Sequence, residues 1–127
     1  GAPAPREITA EKAQDQQILD QQTLDDYLQS LGKTTMLRSV QLFVQLLPGY
    51  INRMMETAVQ QDVNEFQEAA HKLKGAAASV GLLWVQHQAK LMEQATELQG
   101  MEKQLINFHI TIERHLAALE EYIEAWV

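Results

Sequence analysis

The sequence predicts an all-α fold, an antiparallel four-helix bundle with an additional short N-terminal helix. Three observations carry this. Apolar residues recur at spacings of three and four along most of the chain, and no segment alternates apolar with polar residues as a half-buried strand would. The composition leans on Leu, Ala, Gln and Glu, all good helix formers, with three prolines and only 6% aromatic residues, which disfavours a sandwich or barrel. At 127 residues and 46% hydrophobic content the chain can close one core, and two domains would be crowded.

Residues 1–17 hold proline, glutamine and charge without a hydrophobic period, so they are read as a linker together with residues left by cloning. Gly1-Ala2-Pro3 stands where an initiator methionine would be, and the sequence is therefore read as a piece of a larger protein. The packed domain is set at 18–127. A short helix from about Gln22 to Leu31 presents Leu24, Tyr27, Leu28 and Leu31 to the core and stops at Gly32.

A long helix follows to the neighbourhood of Val59, with Met36, Leu37, Val40, Phe43, Val44, Leu47, Ile51, Met54 and Ala58 in helical register and a kink expected at Pro48-Gly49. Asp62, with Glu65 three residues later, has the form of a capping box and opens the next helix, which should end around Ser79 to Gly81. A further helix is expected from about Leu82 to Leu98, burying Leu82, Val85, Ala89, Met92 and Ala95 or Thr96, with Gly100 closing it. In the last helix Met101, Leu105, Phe108, Ile112, His115, Leu119, Tyr122 and Trp126 alternate spacings of four and three, widened by Leu116 and Ile123, as in an antiparallel bundle.

The third of these helices holds the chemistry. At about 100° per residue, Phe66, Ala69, Ala70, Leu73, Ala76, Ala77 and Val80 form one stripe centred near Leu73. His71 lies nearly opposite that stripe, on a side it shares with Gln67, Lys74, Gly75 and Ala78. A glycine inside a helix costs roughly 0.5–1 kcal/mol relative to alanine, and an exposed face ordinarily carries Glu, Lys or Gln. The strip is polar and basic around the histidine and emptied of bulk beyond it, as an approach surface would be.

Several functions are disfavoured or excluded. Ten basic against seventeen acidic residues, a net charge of −7, argue against binding a phosphate backbone as the main task. The lack of cysteine excludes disulfides and thiolate metal sites. His87, His109 and His115 lack the i, i+4 spacing that pairs two ligands on one helix face, so no metal site is expected. No apolar run reaches the roughly 18 to 20 residues of a membrane span. No glycine-rich phosphate loop or kinase signature is present, which argues against a nucleotide site.

His71-x-x-Lys74-Gly75, followed by small residues through Ala78-Ser79 and then Gly81, resembles the signature of histidine-containing phosphotransfer domains, the HPt modules of bacterial phosphorelays. Phe43, Pro48, Asp62, Ala70 and Glu93 also sit where that family has similar residues, and the resemblance covers about Leu19 to Trp126. Leu47-Pro48-Gly49-Tyr50 taken with His71 through Leu82 looks most like the C-terminal domains of anaerobic redox-control hybrid sensor kinases.

The resemblance implies that His71 is the phosphoacceptor, taking a phosphoryl group from a receiver-domain aspartyl phosphate and passing it to a response-regulator aspartate. It implies Lys74 as the group that stabilises phosphoryl charge and Lys72 as a flanking positive charge; Glu93, which on its own helix flanks the buried stripe with Gln86 and Lys90, is placed to reach the imidazole and accept its Nδ1 hydrogen. Gln67, Lys72, Gly75, Ala78 and Lys90 are the expected partner-facing residues. No intrinsic cofactor is implied, and Mg²⁺ is expected on the partner receiver. The domain would be a monomeric, cytoplasm-facing carrier without nucleic-acid or direct membrane contact, belonging to a hybrid sensor kinase and not itself an enzyme. Two other readings use the same residues: a phosphoacceptor domain of a chemotaxis-type kinase, and a helical adaptor that docks a partner without phosphorylation.

Overall fold

In the computed structural model, which describes residues 18–127, five helices account for the fold and no strand occurs among the described residues. They are α1 (Gln21–Leu31), α2 (Lys33–Val59), α3 (Val63–Ser79), α4 (Leu83–Glu93) and α5 (Met101–Ala125). Helix α3 packs against both α2 and α4, α5 lies along α2, and α1 rests against α2, with one apolar core drawing on all five. The linker assigned to residues 1–17 lies outside the described residues.

Helix α1 begins at Asp20, whose carboxylate accepts from the Thr23 backbone N–H at 3.1 Å and from the Thr23 hydroxyl at 2.8 Å, so the N-cap is satisfied by side chain alone. Leu24 and Leu28 are buried and Tyr27 is partly so, but Leu31, expected in the core, is 54% exposed. The chain leaves α1 at Gly32 (φ 87°), directly after Leu31, and α2 departs at once, leaving that last side chain uncovered.

Helix α2 runs through Pro48 and Gly49 as one element. Pro48 lacks the N–H that would bond the Val44 carbonyl, yet both residues are on the solvent side, where water can serve that acceptor. Val44 was expected inside and is exposed, because Val40, Phe43, Leu47, Ile51, Met54 and Ala58 already fill the inward positions.

Only half of the capping box before α3 forms. Asp62 accepts from the Glu65 N–H at 3.2 Å, but its own N–H donates to the Thr57 carbonyl at 2.9 Å, and the Glu65 carboxylate pairs with Arg53 at 3.0 Å instead of reaching back. The far end of α3 seats α1. Gly81 has φ +71°, an added Cβ there would stand 2.7 Å from Leu24 Cγ, and its carbonyl accepts from Asp20 N–H at 2.9 Å.

Helix α4 is shorter than its periodicity predicts. It stops at Glu93 instead of continuing to Leu98, and Gly100 (φ 77°) stands at the entrance to α5 instead of closing α4. Leu98 still enters the core, now from the connecting segment, so the apolar spacing survives the helix that was expected to carry it. Helix α5 buries Met101, Leu105, Phe108, Ile112, His115, Leu116, Leu119 and Ile123. Its end is tied back by Tyr122, whose hydroxyl donates to Asp25 on α1, and by Lys33 Nζ donating to the Glu124 carbonyl at 2.8 Å.

Candidate functional site

Phe66, Ala69, Ala70, Leu73 and Ala77 are all buried on α3, with Ala76 partly so. That burial fixes the helix rotation and turns His71 outward, its side chain 63% exposed. The neighbouring helix then supplies what α3 lacks. Glu93, the last residue of α4, places Oε1 2.6 Å from His71 Nδ1 and Oε2 2.6 Å from Lys74 Nζ, so one carboxylate bridges both α3 side chains.

The protonation states follow from this geometry. The Lys74 ammonium bonded to Glu93, reinforced by the contact with His71, holds the Glu93 carboxyl below the usual carboxylate range although partial burial opposes this. An ionised carboxylate only accepts hydrogen bonds, so His71 must donate from Nδ1–H. In the neutral ring the lone pair then belongs to Nε2, on the edge turned away from Glu93.

The other strip residues separate by helix face. Gln67, one turn before His71, is half-buried, and its Nε2 donates to the Ala95 carbonyl at 2.8 Å, just beyond the end of α4. Lys72 projects on the opposite flank toward α2, 3.9 Å from Glu68, beside a shallow groove that Tyr50, Arg53 and Glu65 also line. Gly75 is exposed, with nothing within 4 Å of where a Cβ would stand, and Ala78 is half-buried. Lys90 is exposed on α4 and makes no salt bridge among the described residues. Thus His71, Lys74 and Glu93 come together, Gln67 joins them through the backbone after Glu93, and Lys72 and Lys90 stand apart.

The sequence gives no direct sign of the Lys74–Glu93 bond or of the Gln67–Ala95 bond. The second depends on α4 ending at Glu93, which leaves the Ala95 carbonyl outside the helix, and the apolar spacing that runs on to Leu98 hides that end. Among the described residues no group of three or more His, Asp or Glu side chains could hold a metal ion, and no helix is long and apolar enough to cross a membrane.

The exposed His71 on α3 of a small helical bundle, with Lys74 one turn on and the small residues Gly75 and Ala78 beyond, is the arrangement that resembles histidine-containing phosphotransfer modules. The chain belongs to the Hpt domain family, whose model matches residues 38–126. It is similar to the aerobic respiration control sensor protein ArcB of Escherichia coli O157:H7, 29% identical over 119 residues, and to that of Escherichia coli strain K12, 28% identical over 119 residues. Each match takes in 94% of this chain, which spans 15% of the length of those relatives. Among solved structures, the histidine-containing phosphotransfer domain of ArcB from Escherichia coli has the same fold, with a TM-score of 0.76 at 23% identity over 84% of this chain and 93% of that one. The solution structure of the same domain, from anaerobic sensor kinase ArcB of Escherichia coli, gives a TM-score of 0.76 at 25% identity over 92% of this chain and 96% of that one.

Proposed function

We propose that this domain is a phosphorelay carrier in which His71 accepts a phosphoryl group from an aspartyl phosphate on one receiver domain and yields it to an aspartate on another. The observation that carries this is the Glu93 bridge, which leaves Nε2 of an exposed imidazole as the free nucleophile beside a lysine.

In the accepting step Nε2 forms a bond to phosphorus while the bond from phosphorus to the aspartyl oxygen breaks, and the electron pair returns to the receiver's carboxylate. Nδ1–H stays on Glu93, so the positive charge that the ring acquires faces a carboxylate. The protonated phosphoimidazole is also the better leaving group for the return step. Lys74, released from Glu93, answers the charge on the phosphoryl oxygens, since such transfers depend mainly on alignment and neutralisation. Mg²⁺ would be supplied by the receiver, and no group of this chain is assigned to bind it.

Gly75 and Ala78 give the receiver a close approach. Lys72 and Lys90 offer positive charge on either flank to an acidic partner pocket. Exposed Leu42 and Leu46 on α2 line a groove with Ala76 and Ser79, an apolar footing on the same side of α3. In this reading the domain carries phosphate without being an enzyme alone, as a monomeric cytoplasmic part of a hybrid sensor kinase; its similarity to a segment of the ArcB sensor proteins supports a place in a sensor protein.

The test is to mix the domain with a radiolabelled phosphorylated receiver. Acid-labile label should appear on the wild type and not on His71→Gln. No label on either, with several competent receivers, would favour the adaptor reading.

A further inference from the structure

Glu93 occupies a poor position for a residue that must hold another in place. It is the last residue of α4, where helix ends fray and unpaired carbonyls make the local field unfavourable to a negative charge. The two side chains bonded to it, His71 and Lys74, are the groups that must respond when a phosphoryl group arrives. One further side chain on the same strip of α3 is tied to this end of α4. Gln67, His71 and Lys74 stand at i, i+4 and i+7, and Gln67 Nε2 donates at 2.8 Å to the Ala95 carbonyl, two residues beyond Glu93. That carbonyl lies past the helical ladder, and the amide that reaches it is half-buried. The segment is then held a second time by Leu98 in the core.

We propose that Gln67 is a positioning residue: by pinning the backbone after α4 it holds Glu93 in register with His71, and so keeps the imidazole proton on Nδ1. This rests on the phosphoacceptor reading of His71. Neither partner in the Gln67–Ala95 bond reacts, so the bond persists when Lys74 turns from Glu93 to the phosphoryl oxygens. It thereby maintains the Nδ1–H to Glu93 contact on both sides of the transfer. The same bond makes Gln67 less available to a partner than its place on the strip suggests.

The experiment compares wild type, Gln67→Ala, Gln67→Glu, Glu93→Ala and the double variant Gln67→Ala/Glu93→Ala. One readout is the His71 tautomer from imidazole ¹⁵N shifts at a pH where the ring is neutral, and the other is the rate of transfer from a phosphorylated receiver. Gln67→Glu is nearly isosteric and removes the donor, so it carries the test should the alanine variant fold poorly. The wild type should show the Nδ1–H form. Both Gln67 variants should show a mixture, with transfer slowed about three- to tenfold, the scale of losing one neutral hydrogen bond. In the Glu93→Ala background, removing Gln67 should cost no further rate, because its effect runs through Glu93. Wild-type tautomer and rate in the Gln67 variants, or losses that multiply in the double variant, would overturn the proposal. A wild type that takes no label would instead remove the phosphoacceptor reading, and the tautomer measurement would still decide the positioning.

Discussion

Glu93 Oε2 accepts from Lys74 Nζ at 2.6 Å, joining the middle of α3 to the last residue of α4. The pair is about a quarter exposed on each side, 28% for Lys74 and 25% for Glu93, so solvent screens it and its contribution to stability is small. Its greater consequence is for transfer. Lys74→Ala should slow phosphoryl transfer while circular dichroism shows helix content unchanged. Equal rates for variant and wild type would remove Lys74 from the mechanism.

The bond to Lys74 also sets an acid dependence. Since the Glu93 carboxyl is held below the usual carboxylate range, its ionised form is favoured by folding. That contribution is fully present above the unfolded value and is lost as pH falls through the lower folded one. Denaturant unfolding across the acid range should show a loss of stability on this limb that Lys74→Met makes shallower. An identical limb in the two proteins would contradict the assignment.

Two glycines should respond oppositely. At Gly81 an added methyl group would meet Leu24 with the backbone at φ +71°, so Gly81→Ala should cost about 2–5 kcal/mol by combining left-handed strain with overpacking. At Gly75 the space is open, and Gly75→Ala should stabilise the helix by about 0.5–1 kcal/mol. A larger side chain, as in Gly75→Gln, should fold well and transfer slowly. Thermal unfolding and transfer rates together test both expectations.

His115 offers a second pH test. It is buried with its ring centroid 4.6 Å from that of Trp84, and Nδ1 has no hydrogen-bond partner among the described residues. Burial holds its pKa below 6.5, so folding favours the neutral ring, and stability falls as pH drops from 6.5 toward the folded value. His115→Leu loses the ring contact, about 0.5–1.5 kcal/mol, and removes an unpartnered polar atom costing about 1–3 kcal/mol. The variant should therefore lie at or modestly above wild type at neutral pH and further above it at pH near 5. A variant as acid-sensitive as wild type would contradict this.

Much of the bundle was legible because burial imposes the helical period: the buried stripes of α2, α3 and α5 are mostly the residues whose spacing predicts them. Where a helix stops was less legible. Leu98 keeps the spacing of α4 while lying outside it, so periodicity alone could not show that Glu93 is a helix terminus. Leu31 and Val44 fit the period yet remain exposed, since spacing says which face a residue occupies and not whether another element covers it. For the site, the outward direction of His71 follows from its own helix. Glu93 could be named from its helix face as a carboxylate within reach of the imidazole, whereas its bond to Lys74 and the bond of Gln67 to Ala95 depend on how α3 and α4 pack, which no local pattern encodes.

The most direct measurement is a chase. Domain labelled on His71 is separated from its donor and mixed with a second, unphosphorylated receiver and Mg²⁺, and the label is followed over time. A carrier predicts label moving to the receiver's aspartate while His71 empties at the same rate. Label that leaves only as inorganic phosphate, no faster with receiver than without, would contradict the relay.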